Sequence, residues 1–321
     1  MKVLSSWSSA LMALLALGLG GGLARAQHRT DPDIKSVPLR THSLYQPYLD
    51  SDLQSRWFDW GGDTVIRTDS YIRLTGDRQE QGGWLWSRLP LTATNWELEV
   101  EFKIHGNGNL YGDGLALWVT KQRAVEGPVF GSQDNFEGLG IFIDTYKNNR
   151  PGTVFPYVMA MLGDGHTSYN HGNDGKDQEA AGCSARGIRG SATPTKLRLT
   201  YFQENYLQLE LQYKDETTWI TCFHIPNVTL PTVSYLGFSA HCGELSDNHD
   251  IISISAKNLY STKSNKHTNP AGNPRPMGRH QSSASGSWGW FFVKFVLFTV
   301  VCVGAYFGWV AYRVNMRGSR F

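Results

Sequence analysis

Between Lys196 and Gln212 apolar and polar residues take turns with a period of two, and this feature restricts the fold more than any other. Leu197, Leu199 and Tyr201 alternate with Lys196, Arg198 and Thr200; after a turn at Gln203 to Asn205, Leu207, Leu209 and Leu211 alternate with Gln208, Glu210 and Gln212. Successive side chains of a strand point to opposite faces, so this is an antiparallel hairpin with one dry face and one wet face. The dry face needs a cover. No segment outside the C-terminal apolar run carries a helical stripe, so the cover has to be a second sheet. Further strands are predicted over residues 64–74, 96–104, 115–119, 138–144, 155–161, 219–224, 235–239 and 251–259. About ten strands punctuated by glycine predict an all-β fold, one large antiparallel sandwich with a jelly-roll path over residues 41–260. A domain of roughly 220 residues buries close to three quarters of its unfolded surface, so its core needs no metal.

The two ends read differently. Met1-Lys2, a short apolar run from Leu11 to Leu17 and the exit Ala24-Arg25-Ala26 have the order of a cleaved signal peptide, residues 1–26. Residues 288–312 are almost wholly apolar and aromatic, enough to cross ~30 Å of hydrocarbon as a helix, with Lys294 placed to snorkel to one interface. Arg313, Arg317 and Arg320 lie in the tail, residues 313–321, and set a type I orientation with the body in the lumen. Residues 261–287 are rich in Ser, Asn, Pro and Gly, the composition of a flexible tether. Scattered basic residues and a net charge of +2 give no footprint for nucleic acid. Of four cysteines, Cys302 falls in the apolar run, so Cys183, Cys222 and Cys242 share the oxidising lumen and one is left over. Asn227-Val228-Thr229 is the single glycosylation sequon.

Three polar stretches follow or precede apolar strands. In Asp144-Thr145-Tyr146-Lys147-Asn148-Asn149, a carboxylate, an amide and a backbone carbonyl offer the hard oxygen donors that calcium prefers, and Asp174, three residues after His171, supplies a second carboxylate. Ordinary turn chemistry uses the same residue types, so each loop alone is a weak signal. Gly112-Asp113-Gly114 presents a carboxylate between two glycines at a strand start. The stretch from His241 to Asp250 precedes the last strand and is placed to close one side of a pocket. Among the tryptophans of the body, Trp84 and Trp86 follow Gly82-Gly83 in a less regular stretch and are the ones expected to be exposed. A hydrolase is the competing reading. Glu97, Glu99 and Glu101 share one strand face about 6.5 to 7 Å apart, a spacing used by paired glycosidic carboxylates. Plain alternation with Leu98, Val100 and Phe102 explains them equally, and no apolar neighbour on that face would raise one pKa.

Several ordered motifs spread over the body resemble those of one family. They are His42-Ser43-Leu44, Pro47-Tyr48, Gly112-Asp113-Gly114, the run from Gly127 to Ser132, Asp134-Asn135-Phe136, Asp144-Thr145-Tyr146, the run from Val154 to Tyr157, and the run from Leu245 to Ile251. The chain is similar to the L-type (leguminous-type) lectins of the early secretory pathway, which include vesicular integral membrane lectins. The resemblance implies a concanavalin-like sandwich that binds high-mannose N-glycans through Ca2+. It implies Asp144, the Tyr146 carbonyl, Asn148 and Asp174 as calcium ligands, and Asp113, Asn148, His171, Gly243, Glu244 and Leu245 as sugar contacts. It further implies a cis Gly112–Asp113 peptide and a Cys183–Cys222 bridge. Glu244 and Trp84 depart from relatives that carry Asp and a small serine there. By the same resemblance the chain is a cargo receptor for high-mannose glycoproteins, cycling through the endoplasmic reticulum, the intermediate compartment and the Golgi, with its tail read by vesicle coat proteins. A membrane-anchored glycoside hydrolase and an adhesion-like receptor without sugar binding are the alternatives.

Overall fold

The computed structural model describes residues 34–261, together with Val303, Tyr306 and Trp309. In chain order the strands are β1 (Ile34–Pro38), β2 (Phe58–Gly62), β3 (Val65–Arg67), β4 (Tyr71–Thr75), β5 (Gly82–Ser87), β6 (Asn95–His105), β7 (Gly114–Thr120) and β8 (Glu137–Asp144). They continue with β9 (Tyr157–Asp164), β10 (Glu179–Ser184), β11 (Thr195–Phe202), β12 (Tyr206–Gln212), β13 (Ile220–Pro226), β14 (Tyr235–His241) and β15 (Asn248–Ser261). One sheet has the order β13-β12-β11-β6-β15-β4-β3, with β1 also paired to β15; the other has the order β10-β9-β8-β7-β14-β5-β2. The fold is an all-β antiparallel sandwich of two sheets. Because β1 pairs with the end of β15, from Ile34 opposite Ser261 to Pro38 opposite Lys257, the sandwich includes Ile34–Pro38, ahead of the expected start at Thr41.

The hairpin forms as the alternation dictates, with Leu197 opposite Leu211, Leu199 opposite Leu209 and Tyr201 opposite Leu207. Those side chains, with Leu98, Val100 and Phe102 of β6, meet Leu115, Leu117, Leu139, Ile141, Val158, Leu236 and Phe238 of the other sheet in the main core. The seven-stranded sheet is also covered on its far side. There Trp86, Trp118, Phe142, Met159 and Met161 pack with Phe130, Phe136 and Tyr169 from the loops to make a second, smaller core. Trp118 meets Phe136 edge-on at 5.0 Å between ring centroids, and Phe142 meets Tyr169 at 5.2 Å. Burial on both faces explains why β7 and almost all of β8 are apolar or small throughout instead of alternating.

Some expectations need correction. Trp84 and Trp86 belong to a regular strand, β5, and Trp86 is fully buried at 2% exposure because the loops roof its face; only Trp84 is partly exposed. The stretch 64–74 is not one strand but the hairpin β3–β4, closed by Ser70 N–H donating to the Arg67 carbonyl. The short strands β1, β2 and β10, at sheet edges or rich in small residues, carry too little alternation to be read from sequence. The Cys183–Cys222 bridge that the resemblance implies is formed, with Cα atoms 5.3 Å apart; it ties β10, the edge of one sheet, to β13, the edge of the other. Cys242 is a buried free thiol near Thr75 Oγ1 (3.4 Å) and the Asp247 carbonyl (3.5 Å).

The segments 1–26 and 313–321 lie outside the described residues, as does 261–287 apart from Ser261. Of 288–312, Val303, Tyr306 and Trp309 are described; they are helical and exposed. Among the described residues no helix is long and apolar enough to cross a membrane.

Candidate functional site

Strand register brings distant residues together at one end of the seven-stranded sheet. Gly114, the first residue of β7, lies opposite Asp144 at the end of β8 on one side and opposite His241 at the end of β14 on the other. Asp113 therefore sits between Asp144 and His241. Its backbone is held on both flanks: Asp113 N–H donates to the His241 carbonyl (3.1 Å), and the Asp113 carbonyl accepts from Thr145 N–H (3.0 Å) and Thr145 Oγ1 (3.1 Å). The Gly112–Asp113 peptide is cis, as the resemblance implied. Gly114 is required here, since a Cβ would stand 2.4 Å from the Ile143 carbonyl oxygen and 2.8 Å from the Phe130 ring. The Asp113 carboxylate stays partly exposed, with Oδ2 3.2 Å from His241 Nδ1, a bond that raises the pKa of that imidazole against a smaller desolvation effect.

Asp144 continues the outward face of Phe142 and ends up beneath the loop that follows it. Its Oδ1 accepts from Tyr146 N–H at 3.0 Å. Asp174 comes from the loop before β10, in a left-handed conformation (φ 54°), and accepts from Asn148 N–H (3.1 and 3.2 Å) and Asn148 Nδ2 (2.7 Å). Both carboxylates are buried, at 6% and 1% exposure. Burial first, and then repulsion from Asp174, pushes the Asp144 carboxyl well above the usual range, offset in part by the Tyr146 N–H. The Tyr169 phenol is raised as well, by burial and then by both carboxylates. The nearby cation offsets this charge only in part, because Arg150 is shared with Glu179 in an ion pair and donates to the Asp174 main-chain carbonyl (3.2 Å).

The loop carrying Asp174 is itself pinned. Asp134 accepts from Tyr169 N–H at 2.8 Å and from the Ser168 hydroxyl. Tyr169 packs under the loop, and His171, exposed, meets the Tyr169 ring edge-on at 4.9 Å. The outcome is a cleft of about 200 Å³ whose walls include Asp113, Phe130, Asp144, Tyr146, Asn148, Tyr169, His171 and His241. Gly243, Glu244 and Leu245 adjoin this cleft without forming its walls. A Cβ on Gly243 would be 3.4 Å from Asp113 Oδ2, Leu245 lies across from Gly112, and the Glu244 carbonyl accepts from Gln79 Nε2 at 2.6 Å. The sequence alone does not mark His241, Phe130 and Tyr169 as site residues. His241 opens the polar stretch before the last strand, but its role depends on pairing between β7 and β14 that one sequence does not display.

Negative charge that is only partly offset, hard oxygen donors and low exposure together suit a divalent cation of the calcium type. Among the described residues no group of three or more His, Cys, Asp or Glu stands together as a metal site, so amide and carbonyl oxygens would have to complete the shell. On the opposite, eight-stranded sheet, Glu97 pairs with Lys257 (2.8 Å), Glu99 with Arg198 (3.2 Å), and Glu101 accepts from Ser253 (3.3 Å). That carboxylate row lies on the far side of the sandwich, with Glu97 and Glu99 held in ion pairs.

Comparison with known proteins agrees with this geometry. The model of the legume-like lectin family matches residues 35–266. An L-type lectin-like domain-containing protein of Schizosaccharomyces pombe is 41% identical over 242 residues, 74% of this chain and 74% of that protein. The vesicular integral-membrane protein VIP36 of Mus musculus is 46% identical over 220 residues, 67% of this chain and 60% of that protein. The crystal structure of the VIP36 exoplasmic/lumenal domain in its Ca2+/Man3GlcNAc-bound form superposes with a TM-score of 0.66 at 43% identity, covering 70% of this chain and 90% of that one. Sandwich, roofed sheet and shared sequence lead to one conclusion: the chain belongs to the legume-like lectin family.

Proposed function

We infer that this protein is a calcium-dependent lectin for mannose-containing N-glycans. Asp144, Asp174, the Asn148 amide oxygen and the Tyr146 carbonyl would hold Ca2+, which supplies the charge that two buried carboxylates lack. Its work is to fix loop geometry. Asn148, then oriented by the ion, Asp113 and His171 would hydrogen-bond the hydroxyls of one hexose, with the backbone of Gly243, Glu244 and Leu245 at the rim. The observation that carries this reading is the cleft in which Asp113, Asn148 and His171 stand beside the buried pair Asp144 and Asp174. The relatives' Ca2+- and mannose-bound forms support it.

Further out, the chain would act as a cargo receptor. The N-terminal leader, the apolar run 288–312 and the basic tail suit a single-pass type I protein of the endoplasmic reticulum, intermediate compartment and Golgi, the tail offering its Arg320-Phe321 end to coat proteins. Asn227, exposed on a left-handed turn, would be open to glycosylation. The function is binding and not hydrolysis. A glycan array probed with the full-length protein in mild detergent, with calcium and with chelator, tests this. High-mannose binding that disappears with chelator is expected. Binding indifferent to chelator, or release of reducing sugar, overturns it.

A further inference from the structure

A second cavity begins where the hexose cleft ends. It measures about 380 Å³, nearly twice the cleft, and is lined by Asp63, Gly82, Trp84, Glu126, Gly131 and His241 among others. His241 belongs to both cavities and is the wall between them; a Cβ on Gly82 would stand 3.6 Å from its Cδ2. The one large apolar surface in the second cavity is the indole of Trp84. That ring is held in place from two directions. Its Nε1 donates to Glu126 Oε1 at 3.1 Å, and its cross-strand partner on β2 is Gly61, where a Cβ would lie 2.2 Å from the ring. Glycine at position 61 therefore makes the seat in which the indole lies. On the same β5 face Trp86 is wholly buried, whereas Trp84 keeps part of its surface in the cavity.

We propose that Trp84 is a specificity-determining residue of this lectin, the stacking platform for the sugar linked to the hexose in the Asp113 cleft. The inference rests on reading that cleft as the hexose site. A pyranose offers an apolar C–H face and a rim of hydroxyls. An indole fixed by Glu126 and Gly61 meets the first with its open face, and the carboxylates of Glu126 and Asp63 accept from the second. Asp63 Oδ2 is already engaged by Gly82 N–H at 2.9 Å, which fixes that carboxylate at the cavity floor. A monosaccharide fills only the cleft and does not reach Trp84. A linked disaccharide does.

The test is calorimetry on the full-length protein in detergent and saturating calcium, with methyl α-mannoside and with α1,2-, α1,3- and α1,6-linked mannobiose as titrants. Wild type is expected to bind at least one mannobiose more tightly than the monosaccharide. Trp84→Ala should weaken that mannobiose by about five-fold while leaving the monosaccharide within about two-fold, and Trp84→Phe, which keeps a ring over Gly61, should restore most of the loss. Equal weakening of both ligands, or no change in either, overturns the role of Trp84 while the hexose site stands. Wild type that binds no methyl α-mannoside in calcium overturns the cleft reading and this proposal together. Should Trp84→Ala fail to fold, Trp84→Leu, which keeps an apolar side chain over Gly61 without a ring, is expected to show the same selective loss of mannobiose, and an unchanged mannobiose affinity in that variant overturns the role of Trp84.

Discussion

His249 is wholly buried near the site and shows how one residue sets acid tolerance. Its Nδ1 shares a hydrogen bond of 2.7 Å with Thr75 Oγ1, while Nε2 is buried without a partner. A second proton would have to sit on that unpartnered nitrogen, and burial pushes the imidazole pKa down to about 4. In the unfolded chain the same group titrates near 6.5. Above that pH both states are neutral and the residue costs nothing. As pH falls from 6.5 to 4 the unfolded chain takes up a proton that the folded one refuses, and stability is lost by about 3 kcal/mol across that window. His249→Asn, which keeps a polar atom toward Thr75, is expected to remove this part of the acid sensitivity. Urea denaturation of both proteins at pH 7 and pH 4.5 in chelator checks it; equal losses in the two proteins would refute it. Asp113 is the second residue whose role separates cleanly. Asp113→Asn should abolish mannose binding yet leave calcium binding within about two-fold, because Asp113 turns toward His241 and the cleft instead of the Asp144–Asp174 pair.

At the scale of elements, the sandwich is closed at one edge by a covalent link. The bridge joins β10 and β13 across 39 residues of chain, and on the chain-entropy account closing such a loop stabilises the fold by about 4 kcal/mol. Replacing Cys183 and Cys222 by alanine should lower the unfolding free energy by that order with a smaller effect on mannose affinity, since Asp113, Asp144 and His241 lie on or beside strands β7, β8 and β14 in the middle of the sheet and only the loop of His171 and Asp174 leads into β10. Denaturation midpoints and calorimetry on the double variant read the two quantities separately. The loops behave differently from the strands. Those that roof the seven-stranded sheet are held by Phe130, Phe136 and Tyr169 packed on Trp118 and Phe142, so the site loops rest on a second core. Two buried carboxylates, in contrast, press those loops apart, and the balance between packing and repulsion is what a bound cation would tip.

For the whole molecule this means that calcium should appear as global stability. A ligand that binds only the folded state at a concentration a hundred times its Kd stabilises by about 2.7 kcal/mol. The melting temperature of the wild type is expected to rise by roughly 5 to 10 °C on adding such calcium. Asp174→Asn should show no rise and should start from a higher melting point than wild type in chelator, because the repulsion with Asp144 is gone. Thermal scans with and without calcium distinguish these outcomes, and a calcium-induced rise that survives in Asp174→Asn would remove the proposed ligand set.

What the sequence determined by itself was the class of fold and most of the candidate residues for the site. A period of two, written clearly from Lys196 to Gln212, forces a half-buried sheet whatever its neighbours, because side-chain direction in a strand is a local property. Polar loop residues such as Asp144, Asn148 and Asp174 stood out because they interrupt apolar strands, and the motifs around them carried the family. Tertiary structure alone decided what lies beside what. Trp86 is buried and Trp84 is not because loops far away in sequence roof the sheet over one and leave a cavity over the other. His241 joins Asp113 because β14 and β7 are hydrogen-bonded neighbours, with His241 opposite Gly114. Pairing between strands more than a hundred residues apart leaves no mark on either strand's own pattern, since each needs only an apolar face and not a particular partner.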